Sequence, residues 1–83
     1  MNNDDTYNGY ENRETWAVAL WLNNDEGLYR ETLGRTGRYI RQFVEDLLGG
    51  EFGENEHIKS MREDVGSLWR VNWQEVEEAC ARE

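Results

Sequence analysis

The stretch Trp16-Ala17-Val18-Ala19-Leu20-Trp21-Leu22 is seven apolar residues without a break, inside a chain that is otherwise strongly polar. At helical spacing, Trp16 pairs with Leu20, Ala17 with Trp21 and Val18 with Leu22, so apolar side chains reach nearly around the helix. Such a helix needs cover on more than one side. The sequence therefore predicts a central helix, about 13–23, with other short elements packed around it. Asn12 is placed to cap it, and Glu14 lies favourably in its first turn.

The rest of the chain reads as helices too. Asn23-Asn24-Asp25 ends the first helix and caps a short second one, about 25–33, with Leu28, Tyr29 and Leu33. Gly34 and Gly37 interrupt the pattern. Thr36 caps a third helix, about 37–48, where Ile40, Phe43, Val44, Leu47 and Leu48 fall at i, i+3, i+4, i+7 and i+8 before Gly49-Gly50. A fourth, about 54–65, carries Ile58, Met61 and Val65. Residues 68–73 alternate Trp69, Val71 and Trp73 as a strand would, while Val65, Leu68 and Trp69 continue a helical face. Helix then turn is preferred, because no second strand candidate exists to pair with it. Asn72 and Glu75 form a capping-box start for a last helix, about 73–82, with Trp73, Val76, Ala79 and Cys80 inward. The fold expected is all-α: a single small domain of four to five short helices with a Trp-rich core. That core is expected around Trp16, Leu20, Trp21, Phe43, Leu47 and Trp73, with Trp69 also at core spacing. An extended arm is expected at 1–11, and the helical domain at 12–83.

At 83 residues only one domain fits, and four Trp, four Tyr and two Phe supply the apolar area that a small core needs. The single cysteine, Cys80, cannot form an internal disulfide. No apolar run approaches the roughly 20 residues of a membrane span. The acidic start Met1-Asn2-Asn3-Asp4-Asp5 is the opposite of a secretory signal. A cytoplasmic protein, away from membranes, is the expectation.

Charge is distributed unevenly. The net charge of -9 divides into -5 over residues 1–29, +3 over 30–42 and -7 over 43–83. Phosphate-backbone binding rests on lysines and arginines that displace counterions, so direct nucleic-acid binding is disfavoured and a basic protein surface is favoured. The stripe Arg35, Arg38, Tyr39, Arg41 has the composition of a nucleic-acid-binding surface. Its alternative reading is pairing with the surplus acids.

Catalytic chemistry finds no constellation. His57 has no nucleophile near it in sequence and reads as a solvated residue, and Cys80 reads as a small core residue. One His and one Cys cannot build a structural zinc site without two carboxylates. The adjacent pairs Glu45-Asp46, Glu63-Asp64 and Glu77-Glu78 diverge by about 100° on a helix. Gly49-Gly50-Glu51-Phe52-Gly53 follows a helix and is acidic, unlike a phosphate loop. No enzyme activity, cofactor or metal is expected. The informative acids are Glu45, Asp46, Glu51, Glu54, Glu56, Glu63, Asp64, Glu75 and Glu78, as partner-binding candidates. Rows of carboxylates on helices can imitate the charge of duplex DNA, one per roughly 1.7 Å. The alternative is an ordinary solvated face or a halophilic-type acidic surface.

Residues 7–22, Tyr-Asn-Gly-Tyr-Glu-Asn-Arg-Glu-Thr-Trp-Ala-Val-Ala-Leu-Trp-Leu, resemble the opening of a family of small proteins encoded by phages, archaeal viruses and other mobile elements. That opening is a Tyr-Asn-Gly-aromatic arm, Asn-x-Glu-Thr-Trp, then Leu-Trp-Leu. Val71-Asn72-Trp73-x-Glu75-Val76 is similar to the family's closing motif. The family is one of unknown function, and the resemblance implies a mobile-element origin. By association, it implies an inhibitor of host defence, anti-CRISPR or anti-restriction. Such a protein would bind a CRISPR effector or restriction enzyme stoichiometrically and block its nucleic-acid binding. The alternative function is a non-enzymatic interaction or oligomerisation module, including a homodimer in which the arginine stripe meets the acids.

Overall fold

The computed structural model describes residues 7–49 and 56–81. Five α-helices run in order: α1 Arg13–Asn24, α2 Glu26–Thr32, α3 Gly37–Leu48, α4 Glu56–Val65 and α5 Trp73–Ala79, with a 3-10 turn at Leu68–Arg70 before α5. The protein is a single small all-α domain. Helix α1 is central, packed against α2, α4, α5 and the 3-10 turn, while α3 lies against α4 and α5. Among the described residues, no helix is long and apolar enough to cross a membrane.

Each expected cap forms. Asn12, Asp25 and Thr36 accept the backbone N–H of Thr15, Leu28 and Tyr39, and Asn72 accepts those of Gln74 and Glu75. These bonds satisfy helix-start donors that have no partner in the helix itself. The capping box expected at Asn72 is crossed with the first helix. In the local form, Glu75 would reach back to the Asn72 N–H. Here that N–H donates to Thr15 Oγ1 at 2.9 Å, and the Glu75 carboxylate accepts the Glu11 N–H at 2.8 Å. The Asn72 amide donates to the Glu11 carboxylate, and the Asn12 amide to the Arg70 carbonyl. Thr15 Oγ1 also donates to Asn12 Oδ1 at 2.7 Å, so the hydroxyl is satisfied although Thr15 is fully buried. The starts of α1 and α5 are thus one hydrogen-bonded knot.

Segment 68–73 resolves as a 3-10 turn followed by two extended residues, Val71 and Asn72. Of the expected arm, residues 1–6 lie outside the described residues. Tyr7 and Tyr10 exchange backbone hydrogen bonds across a tight turn, with φ of 49° at Asn8 and 90° at Gly9. Positive φ at both central positions suits the twist of such a turn, and Asn-Gly is the sequence that tolerates it. Tyr7 packs on Trp16 with ring centroids 5.0 Å apart.

The core departs from the expected composition. Its fully buried large side chains are aliphatic or Met: Val18, Leu22, Ile40, Val44, Met61, Val65 and Val76. Trp16, Trp21, Phe43 and Trp73 pack against this cluster from its rim, Leu20 is 39% exposed, and Trp69 is 81% exposed. A domain this small has little interior in which a whole indole is surrounded, and the indole N–H needs a polar partner. Trp21 finds one at the edge, donating to Asp64 at 2.8 Å. Leu20 lies on the outward side of α1, whose remaining sides are taken by its neighbours.

Helices α3 and α5 come close together at Gly37. A Cβ there would stand 2.8 Å from the Trp73 carbonyl oxygen, and the Gly37 N–H donates to the Glu77 carboxylate at 2.6 Å. Alanine normally favours a helix over glycine by about 1 kcal/mol, but overpacking costs about 1–3 kcal/mol, and at the first helical position the propensity gain is small. Gly37→Ala is expected to destabilise the fold by about 1–2 kcal/mol, read as a lower urea midpoint. An unchanged or higher midpoint would contradict this packing.

Candidate functional site

Of the nine acids that the sequence marks for partner binding, seven are described, and the fold commits four of these. Glu45 bonds Arg41 at 2.9 Å, and Asp46 accepts from Gln42 at 3.1 Å, both one turn away on α3. Asp64 holds Arg13 at 3.0 Å and the Trp21 indole, and Glu75 is part of the α1–α5 knot. Glu51 and Glu54 lie outside the described residues. Glu56, Glu63 and Glu78 are exposed and have no partner among the described residues. Glu56 and Glu63 lie two turns apart on the outer face of α4, with Lys59 between them, whereas Glu78 is on α5. These two helices pack on α1 and α3 rather than side by side, so the free acids are shared between two faces.

The arginine stripe is also partly used. Arg30 pairs with Glu26 and Arg41 with Glu45, as the pairing alternative expects. Arg35 stacks over Tyr39 at 4.5 Å, and the Tyr39 hydroxyl donates to Glu31 at 2.5 Å. That carboxylate raises the Tyr39 pKa above its ordinary value. Arg38 is exposed with no partner among the described residues.

Two features emerge that the helical periodicity does not show. The first is Trp69, held out on the 3-10 turn with the Arg70 guanidinium 5.8 Å from its ring centre. Arg70 is itself anchored on Glu14 of α1 at 3.4 Å. An exposed Trp beside an Arg has the composition of protein-binding hot spots. The Trp69-Arg70 dipeptide after Gly66-Ser67 was the available signal, masked by the core spacing of Trp69 relative to Val65.

The second is a cleft of about 360 Å³ between α1 and α4, lined by Leu20, Trp21, Asn24, Asp25, His57 and Asp64. His57 Nε2 lies 2.5 Å from Asp25 Oδ2, and its ring meets Trp21 edge-on at 5.2 Å. The two residues are 32 positions apart, so no local spacing announces the pair. His57 is more than half exposed, yet it has a tertiary partner. Among the described residues, no hydroxyl or thiol lines the cleft. Among the described residues, no group of three or more His, Cys, Asp or Glu could hold a metal ion. Cys80 is buried, and burial pushes its thiol pKa up, away from the reactive thiolate.

Asp25 ends α1, caps α2 and holds His57. Its carboxyl sits below the ordinary 3.8, first because the Leu28 N–H stabilises the carboxylate and then because His57 does. A depressed folded value means that Asp25 stabilises the fold fully above 3.8 and loses this contribution as pH falls through the lower value. Asp25→Ala is expected to cost about 1 kcal/mol near neutral pH through loss of the cap. Urea melts should show that difference shrinking in strong acid; a difference that is constant with pH would contradict the assignment.

No curated protein and no solved structure matches the chain. Residues 3–81 match a family of unknown function, DUF7249, a span that takes in both ends of the α1–α5 knot, the Trp69 turn and the α1–α4 cleft. The chain belongs to the DUF7249 family.

Proposed function

We propose that this protein acts by stoichiometric binding to a protein with a basic, nucleic-acid-binding surface. Its role in this reading is that of a mobile-element inhibitor of host defence, anti-CRISPR or anti-restriction, acting in the host cytoplasm by displacing nucleic acid from a nuclease or effector complex. The observation that carries the binding part is Trp69, a large aromatic left 81% exposed beside Arg70. Leaving so much apolar area in water is unfavourable by about 25 cal/mol per Å², and a partner surface removes that cost. The net charge of -9, with Glu56, Glu63 and Glu78 outside any internal pairing among the described residues, supports a basic partner. Arg38, exposed and without a described partner, favours a second reading, a homo-oligomer in which it meets the acids of another copy. Such an oligomer dissociates in sizing chromatography as salt is raised.

The test is titration of the protein into CRISPR effector and restriction-enzyme complexes, with bound DNA followed by fluorescence anisotropy. Displacement at about one protein per complex is expected. Trp69→Ala should weaken it about tenfold or more, as a hot-spot residue does, and leave the thermal midpoint unchanged because the ring packs on little. The triple change Glu56→Lys, Glu63→Lys, Glu78→Lys should weaken it further. DNA retained by every complex tested, or a Trp69→Ala variant as effective as the parent, would overturn the proposal.

A further inference from the structure

The α1–α4 cleft is mostly apolar in its lining, and its wall is fixed before anything enters. The Trp21 indole N–H is held by Asp64 at 2.8 Å, Asp64 is held in turn by Arg13 at 3.0 Å, and His57 braces the ring edge-on. A preformed wall lowers the ordering cost of binding. Its volume, about 360 Å³, falls within the ~300–1,000 Å³ usual for ligand sites. Leu20, beside the ring, is the apolar residue of α1 left most exposed to solvent. Among the described residues, the acidic groups lining it are Asp25 and Asp64, no Lys or Arg lines it, and His57 is engaged by Asp25.

We propose that this cleft receives an arginine side chain of the protein partner. This rests on the reading above, that the partner is a basic protein, and names the partner group that the cleft fits. The guanidinium plane stacks on Trp21, the methylenes lie along Leu20, and the positive head meets the Asp64 and Asp25 rim. Charge complementarity selects this occupant. An apolar side chain would displace water from the carboxylate oxygens at the rim and offer them no hydrogen bond beyond those they already accept within the chain. Arginine is preferred over lysine because its planar guanidinium stacks on aromatic faces, is more weakly hydrated and donates in a fork.

The experiment uses the full chain, ¹⁵N-labelled, at low salt. The Trp21 indole N–H resonance, assigned by its loss in Trp21→Phe, is followed on titration with Nα-acetyl-arginine amide and with its neutral isostere, Nα-acetyl-citrulline amide. The arginine probe should shift the Trp21 indole and the Leu20 methyls saturably, and the citrulline probe should bind about tenfold more weakly or worse. Asp64→Asn, which keeps an acceptor for the indole, should reduce that preference, with an otherwise unchanged amide spectrum showing that the fold is intact. Equal shifts from both probes would mean an apolar pocket without charge selection and would overturn the proposal. So would silence from both, or movement of the Trp69 indole in place of Trp21. Because the probe is a free amino-acid derivative, failure here removes only the arginine anchor and leaves displacement of DNA to its own titration.

Discussion

The structure depends on the exchange of caps between the two ends of the chain. Thr15, buried in α1, accepts the Asn72 N–H; Glu75 of α5 accepts the Glu11 N–H; and the Asn12 and Asn72 amides each reach the other strand of the knot. A neutral hydrogen bond contributes about 0.5–1.5 kcal/mol net, but a buried donor or acceptor left without its partner costs about 1–3 kcal/mol. The asymmetry matters here. The cost falls on the Asn72 N–H, whose acceptor Thr15 is fully buried, while the bonds to Glu75, Arg70 and Glu11 lie at the surface; together they tie α1 and α5 across 57 positions of sequence. Around that unit, α2 follows α1 through the shared Asp25 cap, and α3 and α4 close the aliphatic core.

The two segments joined by the knot are far apart in the sequence. Asn12, Thr15 and Trp16 on one side and Val71, Asn72, Trp73 and Glu75 on the other meet in space, and each has a structural task in the knot or on the core rim. Those residues specify the fold. The proposed binding uses groups outside the knot: Trp69 on the turn just before it, Glu56, Glu63 and Glu78, which have no partner among the described residues, and the cleft walled by Trp21. The cap exchange lies at one end of α1, and the cleft walled by Trp21 lies toward the other, against α4.

Much of the architecture was legible because its determinants are local. All four caps named from sequence, Asn12, Asp25, Thr36 and Asn72, form, since a cap is decided within three residues. The all-round apolar pattern of 16–22 correctly marked the central helix. What was not legible is tertiary. Periodicity placed Leu20 and Trp69 in the core, but it cannot say where neighbouring helices stop, and both lie past that edge. The rim position of Trp16, Trp21 and Trp73 follows from the size of the indole against a small interior. Spacing alone does not measure that. Rows of acids along single helices carry no sign of tertiary partners, such as Trp21 and Arg13 for Asp64 or the Glu11 N–H for Glu75. His57 with Asp25 had no sequence signal at all.

The central claim is that the crossed caps make α1 and α5 one cooperative unit. Native-state hydrogen exchange of the Asn72 backbone N–H, which sits outside both helices and donates to Thr15 Oγ1, tests it most directly. The account predicts that this amide exchanges only by global unfolding, with the same free energy as the amides of Val18 and Leu22 in α1, and that Thr15→Val lowers its protection more than theirs. An Asn72 amide that exchanges rapidly by local opening, while α1 stays fully protected, would contradict the account.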